Sequence, residues 1–301
     1  MSLNNDKFKS INNTKNILLV LSGKGGVGKS SVTTQLALSL SSINNNKVGV
    51  LDIDLTGPSI PRFFDLENEK IFQSSNGWLP IEKPILNKTN TLKVISLGFL
   101  LNDSKNDSVV WKGPKRQAMI RQFIDDVYWG DDPLDYLIID TPPGTTDEHI
   151  AIIENLRVLE NIKNINIKAV IVTTPQRISI NDVKKQINFC DIVELDILGV
   201  IENMSGFKCP YCDDCTDIFS KGGGENLCKE LNLPFLGFLP IDPKFVELIE
   251  QQHDIVAKNN SDLVSEYLKL GISKDFHKII EEGNFCLLYT SPSPRDMRRS
   301  R

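Results

Sequence analysis

The stretch Gly23-Lys24-Gly25-Gly26-Val27-Gly28-Lys29-Ser30-Ser31 places four glycines and two lysines within nine residues. Gly23, Gly28, Lys29 and Ser30 occupy the fixed positions of G-x-x-x-x-G-K-[ST], between an apolar run over 16–21 and a helix pattern over 29–42. Glycines let the backbone turn so that successive N–H groups converge on phosphate oxygens, and a helix N-terminus aims its positive dipole end at the same point. In such a loop the lysine at position 29 reaches the β- and γ-phosphates, and the hydroxyl of Ser30 ligates Mg²⁺. Lys24 is surplus to that pattern and needs its own explanation.

Carboxylates end two further apolar runs. One closes with Asp52 and Asp54, the other with Asp140, followed by Pro-Pro-Gly and then Asp147 and Glu148. Beside a phosphate loop, such acids suit holding Mg²⁺ through water and orienting an attacking water. His149 reads as a surface or helix-start residue.

A second chemistry lies in Cys209-Pro-Tyr-Cys212-Asp-Asp-Cys215, whereas Cys190, Cys228 and Cys286 stand apart. Thiols at this spacing in a reducing compartment favour metal over disulfide. One C-x-x-C supplies two thiolates where a zinc site or an Fe–S cluster generally takes four. Two chains could bring their pairs together across a symmetry axis, or a single chain could form a zinc knuckle with a ligand from elsewhere.

The elements that must position these groups alternate along the chain. Strand patterns run over 16–21, 47–53, 91–97, 134–140, 168–173, 197–203 and 235–239, and helical periodicity over 115–129, 180–193, 244–249 and 261–270. This predicts an α/β fold with a doubly wound, mostly parallel sheet, whose ligands bind at the carboxyl ends of the strands. The Asn-, Lys- and Pro-rich stretch 67–90 reads as an insertion or long loop. Residues 1–15 read as a flexible N-terminus, 16–271 as the ATPase domain and 272–301 as a tail. The last fifteen residues, rich in Ser, Pro and Arg, look non-native and stay outside the functional argument.

Composition excludes some classes of function. The chain has 301 residues, 40% hydrophobic and 24% charged, with 34 basic against 39 acidic residues and a net charge of −5. That balance argues against a nucleic-acid surface. No apolar stretch has the length of a membrane span, and the first fifteen residues lack a signal-peptide core, so the expected location is cytoplasmic.

The motifs SGKGGVGKSSV, DIDLTGPSIPR, VWKGPKR, IIDTPPGTTDEH, IENMSGFKCPYC and IFSKGGGENL together resemble the Mrp/Nbp-type P-loop ATPases of Fe–S cluster assembly. The resemblance spans roughly 16–270. It implies the deviant phosphate-loop class that includes the nitrogenase iron protein and the septum-site ATPases, whose members dimerise. Lys24 then matches the extra lysine that reaches the partner's nucleotide, while Lys29 serves its own. The resemblance further implies that Asp54 positions the attacking water, that Asp52 and Asp140 are outer-shell Mg²⁺ carboxylates, that Asn203 recognises adenine and that the loop holding Pro240 and Asp242 packs over the base. Cys209 and Cys212 match the pair that bridges a [4Fe–4S] cluster between subunits, with Cys215 a less secure ligand.

The function so implied is a weakly hydrolysing, ATP- and Mg²⁺-binding scaffold that passes a [4Fe–4S] cluster to cytosolic and nuclear apoproteins. Its implied partners are a second copy or a larger paralogous subunit with an N-terminal four-cysteine site, and recipient apoproteins, without nucleic acid or membrane. No cysteine precedes Ser22, which matches the smaller subunit. The alternative is a partitioning or site-selection ATPase switch with a structural zinc at the cysteine motif.

Overall fold

The computed structural model describes residues 11, 14–55, 57–85, 91–100, 113–163, 165–212, 215–282 and 285. Residues 1–10, Cys286 and the ending 287–301, for which the sequence suggested a flexible start and a non-native tail, lie outside them.

Seven strands match the seven apolar runs: β1 (Asn16–Ser22), β2 (Val48–Asp52), β6 (Thr91–Ser96), β7 (Tyr136–Asp140), β8 (Asn166–Thr173), β9 (Ile197–Lys208) and β11 (Phe235–Ile241). They are joined by β5 (Ile81–Pro84) and the two-residue β10 (Cys215–Thr216) in one sheet of order β10-β9-β8-β1-β7-β2-β6-β5, with β11 also pairing β9. Pairing is parallel except at β5 and β10. β1, β2 and β7 are buried at every residue, which is why they read as continuous apolar runs rather than alternating ones.

The helices are α1 (Lys29–Ser42), α2 (Ile60–Phe63), α3 (Gly113–Asp126), α4 (Asp147–Lys163), α5 (Arg177–Ile192), α6 (Gly223–Leu231), α7 (Pro243–Glu250), α8 (Gln252–Asn259), α9 (Leu263–Leu268) and α10 (Gly271–Glu282). α1 packs on β1, β2 and β7 and is covered by α9 and α10, so its polar side chains need internal partners. They have them: Thr33 and Thr34 hydroxyls donate to the carbonyls of Lys29 and Ser30, and Ser39 pairs with the buried Tyr267 hydroxyl at 3.1 Å.

Two expectations change. The stretch 67–90 is not simply a long loop. Its described residues form a hairpin of β3 (Phe72–Ser74) and β4 (Gly77–Leu79), followed by β5, which pairs antiparallel with β6. Trp78 fixes the hairpin by stacking on Phe123 of α3, with ring centroids 6.1 Å apart, and its carbonyl accepts from Tyr128 N–H. The folded part also crosses both boundaries drawn at 16 and 271. Ile11 and Phe285 are buried, and the Tyr136 hydroxyl donates to the Phe285 carbonyl.

α10 buries Ile272, Phe276, Ile279 and Ile280 at helical spacing. Phe276→Ala removes a fully buried ring from this face and is expected to cost about 3–5 kcal/mol. Urea unfolding of the two proteins checks this, and an unchanged midpoint would place α10 outside the cooperative unit.

Candidate nucleotide and thiolate sites

β1 lies between β8 and β7, so the loop that leaves it opens at the middle of the sheet's carboxyl edge. Two glycines there are demanded by space. A Cβ on Gly23 would lie 2.5 Å from the Asp182 backbone of α5, and one on Gly28 would lie 2.2 Å from Asn203 Nδ2. Gly26 and Gly28 also hold φ of +80° and +81°, left-handed values that favour glycine. Gly25 and Gly26 are exposed, Val27 is buried, and Gly28 is the N-cap of α1. A glycine cradle of this kind, open to solvent on one side and running into a 14-residue helix, fits a phosphate chain.

The charged groups converge as expected. Lys29, buried, donates from Nζ to Asp140 Oδ1 at 2.7 Å and lies 3.8 Å from Asp54 Oδ2. Ser30 Oγ donates to the other oxygen, Asp140 Oδ2, at 2.6 Å. Asp52 stands directly opposite Asp140 in the β2–β7 register, and accepts from Asp54 N–H and from Ser96 Oγ at 2.8 Å. Burial, reinforced by the neighbouring Asp140 charge, pushes the Asp52 carboxyl well above the usual carboxylate range. Ser30, Asp52 and Asp140 are the residues that could hold Mg²⁺ alongside a nucleotide.

Two hydroxyls belong to this site without having been singled out in the sequence. Thr33 Oγ1 donates to Asp140 Oδ1 at 2.8 Å, and Ser96 holds Asp52. Thr33 falls one helical turn after Lys29, and Ser96 ends a strand in register with Asp52. Ser31 faces along α1, where its hydroxyl accepts from Gln35. Lys24 differs from Lys29. It is half-buried, and among the described residues its Nζ has no hydrogen-bond or ion-pair partner.

Asn203, buried within β9, donates from Nδ2 to the Val27 carbonyl at 2.9 Å. It pairs in register with Leu239 of β11, which brings Pro240 and Asp242 to the same end of the sheet. Asp242 caps α7 by accepting from Lys244 N–H.

His149 is not a surface residue. It sits in the first turn of α4, fully buried, with Nδ1 accepting from Thr146 N–H at 3.2 Å, the reciprocal half of a capping box. Its ring meets Phe189 edge-on at 6.0 Å.

Cys209 follows directly on β9 and is half-buried, whereas Cys212 and Cys215 are exposed. Among the described residues no group of three or more His, Cys, Asp or Glu side chains is placed to hold a metal ion. The cysteine pair is therefore not completed as a four-ligand set by the described part of one chain.

The family model for the ParA-type NUBPL iron-transfer P-loop NTPases matches residues 13–274. The chain belongs to this family. Among relatives of this NUBPL-type chain, the cytosolic Fe–S cluster assembly factor CFD1 of Kluyveromyces lactis is 58% identical, over 91% of this chain and 92% of its own. The CFD1 protein of Saccharomyces cerevisiae is 56% identical, over 91% and 88%. Among solved structures, the nucleotide-binding protein of Archaeoglobus fulgidus in complex with ADP superposes with TM-score 0.67 at 32% identity, covering 89% of this chain and 94% of that one. The septum-site protein MinD of Pyrococcus horikoshii, at 18% identity and TM-score 0.59 over 92% and 100%, shares the fold. The mostly parallel α/β P-loop architecture of the NUBPL-type chain is thus that of the ParA and MinD ATPases.

Burial lowers the His149 pKa from its ordinary 6.5 to about 4. Between those values the unfolded chain binds the proton and the folded chain does not, so stability falls as pH falls through that window. The full contribution, present above about 6.5, is about 3 kcal/mol. His149→Asn keeps an acceptor for Thr146 N–H without the titration, so its unfolding free energy should vary less between pH 7 and 4.5. Equal pH dependence in urea melts would rule this out.

Proposed function

We propose that the chain is a cytosolic scaffold for Fe–S cluster assembly that binds Mg-ATP, hydrolyses it slowly, and carries a [4Fe–4S] cluster as cargo for cytosolic and nuclear apoproteins. The observation that carries the reading is a cysteine pair at the end of β9, half-buried Cys209 and exposed Cys212, on the same strand that supplies Asn203 to the phosphate loop. A nucleotide switch alone has no need of those thiols. The CFD1 relatives are cytosolic Fe–S cluster assembly factors, and the archaeal neighbour was solved with ADP, which supports both halves of the reading. No helix among the described residues is long and apolar enough to cross a membrane.

In this reading Lys29 exchanges Asp140 for the phosphate chain, and the loop amides receive phosphate oxygens. Ser30 and the carboxylates of Asp52 and Asp140 are the residues that would hold Mg²⁺. Mg²⁺ bound there would supply charge neutralisation for the phosphates. Asp54, 3.8 Å from Lys29, orients the attacking water. Asn203, Pro240 and Asp242 border the base. Lys24 is held in reserve for the nucleotide of a second subunit, a copy of this chain or a larger paralogue, so that its charge acts only when the dimer closes. Two cysteine pairs, one from each subunit, make the four thiolates that the cluster takes.

The lysines separate by measurement. Lys29→Ala deletes a charged donor worth about 1.5–3 kcal/mol, a loss of roughly tenfold or more in ATP affinity. Lys24→Ala should keep ATP affinity within about threefold while lowering kcat. Isothermal titration and steady-state hydrolysis decide, and equal loss of binding in both variants would place Lys24 in its own subunit's site.

Anaerobic reconstitution tests the cluster. The wild-type protein should retain about two iron atoms per chain as a dimer, with broad visible absorption. Cys209→Ala and Cys212→Ala should lose the iron and keep ATP binding, with Cys215→Ala milder. One zinc per monomer and no iron, or full iron content in the Cys209 and Cys212 variants, would overturn the scaffold reading.

A further inference from the structure

β9 does not run straight from the nucleotide end to the cysteines. It pairs with β11 at Asn203–Leu239 and again at Phe207–Ile241, so Met204, Ser205 and Gly206 stand against Pro240 alone. Proline has no N–H to give the ladder, and a bulge absorbs the mismatch. Met204 takes φ +57° and Gly206 φ +106° within it. Beyond the bulge the chain carries Cys209 and Cys212, turns back at Cys215–Thr216 to pair antiparallel with Phe207 and Lys208 of β9, and reaches α6 at its N-cap, Gly222. A Cβ on Gly206 would lie 2.7 Å from Cys215 Sγ, so the returning chain crosses closely over the departing one.

One buried side chain grips both limbs of this excursion. Glu202, fully buried, accepts from Ser205 Oγ through Oε1 at 2.6 Å and from Gly224 N–H through Oε2 at 2.6 Å. The first bond lies inside the bulge and the second in the opening turn of α6, where the helix dipole favours a carboxylate. Gly224 suits this contact because a Cβ there would lie only 3.1 Å from Glu202 Oε2. The residue next to Glu202 is Asn203, bonded to the phosphate loop.

Resting on the nucleotide and thiolate reading above, we infer that Glu202 is a positioning residue that clasps the neck of the cysteine-bearing excursion and couples it to the base end of the nucleotide site. Through the clasp, a shift of Asn203 on nucleotide binding is passed to Ser205 and to the start of α6 together, and so to both ends of the segment that holds the thiols. Without it the bulge and the start of α6 are linked only through the two-residue β10 pairing, and the thiols no longer register what occupies the site.

The test uses the cluster-free full chain and needs no turnover. Alkylation rates of Cys209 and Cys212 by iodoacetamide are followed by peptide mass spectrometry, with and without saturating Mg-ADP, in the wild type, Glu202→Gln and Ser205→Ala. Cys190, buried on α5, reports whether each protein stays folded. In the wild type, Mg-ADP should change the Cys209 rate by about threefold or more. Glu202→Gln, which turns an amide group toward one of the two donors, should raise the ADP-free rate about fivefold and abolish the response to ADP. Its ADP affinity should stay within about threefold of wild type. Ser205→Ala, which frees only one oxygen, should show the same changes at smaller size, and it decides the matter if Glu202→Gln exposes Cys190. Wild-type thiol rates indifferent to bound ADP, or variants that respond as the wild type does, would overturn the clasp. A wild-type chain that fails to bind ADP would instead overturn the nucleotide reading, and the clasp with it.

Discussion

Asp140 receives Lys29 and Thr33 on one carboxylate oxygen and Ser30 on the other, with no exposure to solvent. This arrangement fixes the first turn of α1 against the end of β7, and through it the whole phosphate loop against the sheet. A buried carboxylate left without these donors would carry the desolvation penalty alone, several kcal/mol at roughly protein-interior polarity. The loop's shape is thereby tied to the charge balance beneath it. Asp52, opposite Asp140 on β2, accepts from Ser96 and a backbone amide, but burial and the neighbouring Asp140 charge outweigh these donors and push its carboxyl up. Asp52, Asp54 and Asp140 gather around one lysine, Lys29, a cluster of acids that a divalent cation suits.

The loop is held from above as well as from below. α5 approaches Gly23 so closely that no side chain fits, Asn203 crowds Gly28, and Gly144 N–H donates to the Ser22 carbonyl at 2.8 Å. Elements from three separate stretches of sequence therefore meet at one loop, and the parallel topology is what brings their strand ends to the same edge. Stiffness here comes from glycine's absence of a side chain, which lets backbone approach backbone.

How much of this could be read in the chain follows from where each group lies. The central strands are buried on both faces, so their apolar runs announced them, and the acids that end those runs announced the site. β3, β4 and β5 are short and half-exposed, and their pattern FQSSNGWLPIEKP has no apolar run to find. α6 begins in Gly-Gly-Gly, where propensity argues against a helix, and it forms because Glu202 caps it from another strand. That contact joins residues 22 apart in the chain and leaves no periodic trace. Of the two readings the sequence offers for His149, surface or helix start, the helix start holds and the surface does not, because helix-start signals say nothing about burial. Thr146 and His149, at capping-box spacing, held the better clue.

Both chemistries of the chain stop at the same degree of incompleteness, and this supports reading them together. Lys24 has the charge of a phosphate ligand without a partner among the described residues, and Cys209 and Cys212 have half the thiolates of a cluster site. A second subunit that supplied one would supply the other, since the excursion carrying the cysteines hangs from the strand that touches the phosphate loop. In the proposed scaffold, closure over nucleotide and closure over cargo would then be one equilibrium rather than two. A ligand at either site shifts that equilibrium only by its preference for the closed state, and by linkage each site must feel the other to the same extent. The slow hydrolysis proposed above would fit such a device, because the lifetime of the closed state, rather than the yield of ADP, would set how long cargo is held.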